Sequence, residues 1–124
     1  MSGLAQDAVV SRVDVLFFSI GDQVYGTDAS SVIRIGRAEW WALSPDELGK
    51  PEVGARALVF ELSGGTGAQL RVDGVRGIRA IEVGELRRLP RAASAPMYAI
   101  GACLEGGKTV LLIDLYELHR LKGT

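Results

Sequence analysis

Apolar and β-branched residues recur along this chain in short blocks separated by glycine-bearing dipeptides, a punctuation that predicts strands rather than helices. Val13 to Ile20 is the first block, rich in valine, phenylalanine and isoleucine and shorter than a usual buried helix. Gly21-Asp22 is a turn dipeptide, and Gln23 to Thr27 reads as the second strand of a hairpin. Asp28 is placed to cap one helical turn through Ala29-Ser30-Ser31, because its carboxylate can accept from the free amides of that turn. Val32-Ile33-Arg34-Ile35 then resumes β character.

The texture changes between Gly36 and Arg56. Ser44, Pro45 and Glu47 have the spacing of a capping box, so this stretch is expected to be a connection with one short helix, ended by Gly49-Lys50-Pro51. Strands return after it. Arg56 to Leu62, Ala68 to Val72 and Val75 to Ile81 are separated by Ser63 to Gly67 and by the strong turn signal Asp73-Gly74. Tyr98 to Leu104 and Thr109 to Ile113 flank the turn Glu105 to Lys108. Asp114 and Glu117 have cap spacing, and Leu115, Leu118 and Leu121 can share one face of a closing helix. Many short strands with glycine turns predict a mainly β fold, a small barrel or two half-barrels packed together.

Composition narrows the chemistry. The chain has 124 residues, 48% hydrophobic and 23% charged, with a formal net charge of -1. That suits one domain, or two very small ones sharing a core, and supplies no net positive field. The 16 glycines fit an architecture of tight turns and corners. One cysteine and one histidine exclude an internal disulfide and a zinc site built from thiolates and imidazoles. Met1 to Val10 lacks the basic and apolar regions of a secretory signal, and no apolar run approaches the roughly 20 residues of a membrane span. A cytoplasmic protein without direct membrane insertion is the expectation, with a loose N-terminal arm over residues 1–12.

Gly106-Gly107-Lys108-Thr109 lacks the first glycine of a phosphate loop, since Ala102 stands there, and a strand follows where a helix is required. A hairpin turn is expected. Asp114 reads as a helix cap, His119 as a surface or dipole-satisfying residue of the terminal helix, and Cys103 as a small buried hydrophobe. No catalytic residue, cofactor or metal ligand is assigned, and no enzyme is expected. Charge is uneven: residues 1–62 hold 5 basic and 9 acidic side chains (-4), and 63–124 hold 9 and 6 (+3). Arg71, Arg76, Arg79, Arg87, Arg88 and Arg91 carry most of that excess, so a small nucleic-acid-binding β-barrel is the alternative. It lacks stacking aromatics, for none occurs between Leu62 and Ala95, and nucleic acid is not expected as the partner.

Three blocks together resemble a family. Val15 to Asp28 followed by Val32 to Ile35 is similar to the opening of a CheW-like domain. Leu70 to Ile78 with the Ile81 to Pro90 stretch is similar to its middle, and Tyr98 to Gly101 with Thr109 to Leu118 to its end. Order and spacing agree over roughly two-thirds of the chain. The resemblance implies two SH3-like β-barrel subdomains around a shared core, about 13–56 and 57–113, with a C-terminal helix over 114–122. It implies a non-enzymatic adaptor that binds a chemoreceptor and a CheA-type histidine kinase or another CheW-like protein. By position in the matched blocks, Val32, Ile35, Val72, Val75 and Ile78 are the partner-binding residues. The family's Leu-Arg-Gly-like turn has no counterpart between Gly36 and Arg56, so the first subdomain is expected shortened and one usual interface absent. Trp40 and Trp41 lie outside the family pattern. Either they cap the shortened barrel or they form a partner patch, with at least one expected in the core.

Overall fold

The computed structural model describes residues 11–88 and 97–123. The described residues form eight strands, β1 (Arg12–Ile20), β2 (Gln23–Asp28), β3 (Arg34–Arg37), β4 (Arg56–Glu61), β5 (Gly67–Val72), β6 (Gly74–Glu82), β7 (Ala99–Glu105) and β8 (Lys108–Ile113). One α-helix, α1 (Leu115–Lys122), follows them. Residues 1–10 of the expected arm, and Arg91, lie outside the described residues. The last two arm residues are held in place: Arg12 opens β1, and the Val83 amide donates to the Ser11 carbonyl at 2.9 Å.

The strands form two sheets, one of five in the order β6-β1-β2-β8-β7 and one of three in the order β3-β4-β5. Pairing crosses the expected boundary near residue 56, for β3 pairs with β4 and β1 pairs with β6. The larger sheet closes on itself. Beyond β6 the chain turns through Val83–Glu85, and Arg87 bridges Ala102 of β7 with backbone bonds of 2.8 and 2.9 Å in the two directions. Arg79 reinforces this closure, donating to the Leu104 carbonyl at 3.0 Å and pairing with Glu105 at 2.9 Å. Inside lie Val15, Phe17, Ile81, Cys103, Val110 and Leu112.

One row across this barrel shows how so small an interior is filled. Gly101, Leu112, Gly26, Phe17 and Gly77 are neighbours on consecutive strands. Large and small residues alternate, so two bulky side chains occupy a space that five would overfill. A Cβ on Gly26 would stand 2.8 Å from both a Leu112 and a Val15 methyl. Gly26 and Gly101 are therefore packing residues, not the turn residues expected of the glycines. Gly77 has a positive φ of 107° beside the bulge that leaves Arg76 without a partner opposite β1.

The opposite face of β1 supplies Leu16, Phe18 and Ile20 to a second core shared with Leu58, Phe60, Ala68, Leu70 and Val72 of the smaller sheet and with Leu115 and Leu118 of α1. Asp114 caps α1 as expected, accepting from the Tyr116 and Glu117 amides. Leu121, expected on the apolar face, is exposed. Phe60 meets Tyr116 and His119 edge to face, which anchors the helix over the smaller sheet.

Candidate functional site

The smaller sheet has three strands, and the segment from 38 to 55 serves as a strap along its β5 side. Leu43 makes a parallel bridge to Leu70: its amide donates to the Gln69 carbonyl at 2.8 Å, and its carbonyl accepts from Arg71 at 2.9 Å. Leu48 is buried and its carbonyl accepts from the Tyr25 hydroxyl at 2.7 Å. The expected capping box is absent. The only helical structure is one 3₁₀ turn, Asp46–Leu48, preceded by Pro45 without a side-chain cap. Glu47 instead turns outward to Lys122 of α1.

Two residues of one short sequence, Arg71 and Asp73, fasten the strap. The Asp73 carboxylate accepts from the Gly21, Glu52, Val53 and Gly54 amides at 2.6 to 2.9 Å. Partial desolvation pushes this carboxyl's pKa up, and the four backbone donors together overcome that and bring it down to about 2. Arg71 reaches the other way, donating to the carbonyls of Gly54 at 2.8 Å and Glu39 at 2.6 Å. Asp73-Gly74, expected as a turn between paired strands, is instead the bend by which the chain leaves β5 of one sheet for β6 of the other. That its aspartate gathers four amides from two distant segments was not legible, because the donors lie outside the motif.

The strap carries both tryptophans. Trp40 is 90% exposed and Trp41 48%, so the expectation that one is core is corrected. Leu43 and Leu48 already supply the strap's apolar contact to the core. Trp41 lies instead on the outer side of the smaller sheet, lining a shallow groove with Arg34, Arg37, Glu39, Val59 and Gln69.

The five expected partner-binding residues separate into three kinds. Val72 is fully buried in the shared core, so it offers no surface and drops out of the contact set. Val32 and Val75 are half-buried against that same core. Ile35 and Ile78 are 41% and 62% exposed. Ile35 stands opposite Leu58 and Ile78 opposite Leu16, so each extends a row of core residues to an edge strand where the partner sheet no longer covers it. Sequence reasoning missed Ile33, 58% exposed just before β3, where its amide donates to the Val59 carbonyl at 2.8 Å.

Other groups are occupied structurally. Burial pushes the Cys103 thiol up, against the opposing pull of Arg79. Glu105 and Lys108 are the ends of a β-hairpin, so Gly106-Gly107 is a turn and not a phosphate cradle. Among the described residues no group of three or more His, Cys, Asp or Glu could hold a metal ion. Among the described residues, three of the second half's arginines are occupied structurally. Arg71 fastens the strap, Arg79 closes the barrel and stacks on Phe17 at 5.8 Å, and Arg87 bridges β7.

No family model matches the chain. It is 53% identical over 111 residues to the frizzy aggregation protein FrzB of Myxococcus xanthus, covering 90% of this chain and 98% of that protein. Its fold matches the crystal structure of the scaffolding protein TtCheW from Thermoanaerobacter tengcongensis with a TM-score of 0.73 at 17% identity, over 92% of this chain and 97% of that one.

Proposed function

Since the chain belongs to the CheW-like family of FrzB, as an adaptor of the chemosensory kind, we propose that it works by holding a chemoreceptor's helical tip in the seam between its two sheets. The observation that carries this reading is the placement of Ile35 and Ile78, which continue the shared core into solvent, together with the half-buried Val32 and Val75. A helix laying an apolar stripe on such a seam would bury those rows without unfolding either sheet. Association is the whole mechanism, and no reaction step is assigned. Trp40 and Trp41, on the strap, form a separate patch for a second protein, a CheA-type kinase or another CheW-like domain. A cytoplasmic location, with recruitment to receptor arrays, accompanies this reading; no helix of the described residues is long and apolar enough to cross a membrane.

The test is binding of the full chain to a receptor cytoplasmic fragment and, separately, to a CheA-type kinase. Ile35→Asp and Ile78→Asp should each weaken receptor binding about tenfold or more while leaving the thermal transition in place. Receptor binding without kinase binding would assign the tryptophan patch to another CheW-like domain rather than to the kinase. Wild-type affinity in both variants would sink the seam as the site. Binding to neither protein, together with salt-sensitive binding to oligonucleotides, would replace the adaptor reading with the nucleic-acid one.

A further inference from the structure

Sheet edges are unpaired hydrogen-bonding templates, and this chain covers them unequally. The β7 edge is met by Arg87 and by the Arg79 guanidinium, and the β5 edge by Leu43. β3 is the other edge of the smaller sheet, and no described residue pairs with its outer side. The Ala38 amide donates to the Ala55 carbonyl at 2.9 Å, which fixes the phase of the β3-β4 ladder. With Arg34 opposite Val59 and Gly36 opposite Ala57, alternation directs the backbone groups of Arg34 and Gly36 inward and those of Ile35 and Arg37 outward.

The side chains along this edge state what would pair with it. Arg34, Arg37 and Arg56 are exposed, and none forms an ion pair among the described residues. Arg37 stands directly opposite Arg56, a like-charge pair that costs stability unless an anion lies beside it. Glu39 is the one carboxylate lining the groove beside Arg34 and Arg37. A second copy of this strand would not suit. Antiparallel overlay of the two four-residue strands sets Arg34 against Arg37, and parallel overlay sets each arginine against itself.

We propose that β3 receives an extended acidic segment of a partner protein as an added strand, with its backbone on Ile35 and Arg37 and its carboxylates on Arg37 and Arg56 on one face of the sheet and on Arg34 on the other. The added strand shares Ile35 with the seam of the adaptor reading but uses its outward amide rather than a helix-facing row, so the two are separable.

The probe is a short synthetic glutamate-rich peptide, with a lysine-rich peptide of the same length as control, each titrated into the isotopically labelled full chain. The glutamate peptide should bind saturably with Kd below about 1 mM. It should move the amide signals of residues 33–38 and slow hydrogen exchange at Ile35 and Arg37. The lysine peptide should do neither. Joint replacement by Arg34→Glu and Arg37→Glu should reverse that preference. Ile35→Pro removes an outward donor the sheet does not use, so it should abolish peptide binding while the thermal transition persists. Should Ile35→Pro unfold the chain, the paired charge reversal carries the test alone. No saturable binding, equal binding of both peptides, or shifts centred on Trp41 and Gln69 instead of β3 would each overturn the proposal. Loss of receptor binding in Ile78→Asp with peptide binding intact would leave both readings standing as separate sites, whereas a receptor fragment that fails to bind leaves the strand proposal to be decided by the peptide alone.

Discussion

The closed barrel and the three-stranded sheet are built from similar strands but stabilised differently. The barrel is joined around its rim and filled by a row in which Phe17 and Leu112 alternate with glycines. The smaller sheet buries one face on the shared core, and a strap fastened by Arg71 and Asp73 runs along one edge. Both units expose apolar side chains, Ile78, Ile100 and Leu104 on the barrel and Ile35 on the smaller sheet. The smaller sheet adds an edge strand, β3, whose outer side no described residue pairs with, and two exposed tryptophans on its strap. The barrel has an interior of its own, whereas the smaller sheet has only the core it shares.

The strongest way to break that contrast is to overfill the barrel. Gly26→Val places methyls where Leu112 and Val15 already stand, and is expected to lower stability by about 3 kcal/mol in denaturant unfolding. A loss below about 1 kcal/mol would mean the row relaxes and the barrel is not tightly filled. Asp73→Ala probes the sheet's polar clamp, and removal of an acceptor shared by four amides is expected to cost about 2 kcal/mol. The strap's amides, Glu52 to Gly54, should then exchange faster than those of β1. Were the strap's protection unchanged, its apolar residues and not the clamp would be holding it.

Acid sharpens the same point. Asp73 has its pKa lowered from 3.8 to about 2 in the folded chain, so its contribution is fully present above about 3.8. It is lost as the pH falls toward 2, and stability in that window should decline less in Asp73→Ala than in the parent chain. Cys103 tests the barrel from inside. Burial raises its thiol pKa, so labelling by a thiol reagent near neutral pH should be slow in the folded chain and become fast once denaturant unfolds it. Rapid labelling before the unfolding transition would show the barrel opening locally. Trp40→Ser should be the mildest change, within about 0.5 kcal/mol, because the side chain is 90% exposed. A larger loss would place that indole in the fold.

Much of the secondary structure was legible locally. The strand blocks, the Asp28 and Asp114 caps and the hairpin at Gly106-Gly107 depend on residues close together in sequence, and each formed. The failures share a cause. Ser44 to Glu47 matched a capping box, yet Glu47 found Lys122 some seventy residues away, a competitor no local motif contains. Val72 matched a family contact position, but its alternation with Leu70 on β5 aims it at the shared core. The tryptophans were expected to seek burial, and the strap's leucines had already taken the apolar contacts available to it.

By itself the sequence determined the mainly β class, the number and approximate limits of the strands, the scarcity of catalytic groups and the likeness to CheW-like domains. Those follow from side-chain periodicity, turn chemistry and residue types, all properties of short windows. Only the tertiary structure decided which sheet each strand joins, which glycines make room and which turn, and that no described residue pairs with the outer edge of β3. It also decided that Arg71 and Asp73 fasten a strap. Such outcomes depend on which distant groups come within a few ångströms of each other, and chain closure brings those groups together without any mark in the local pattern.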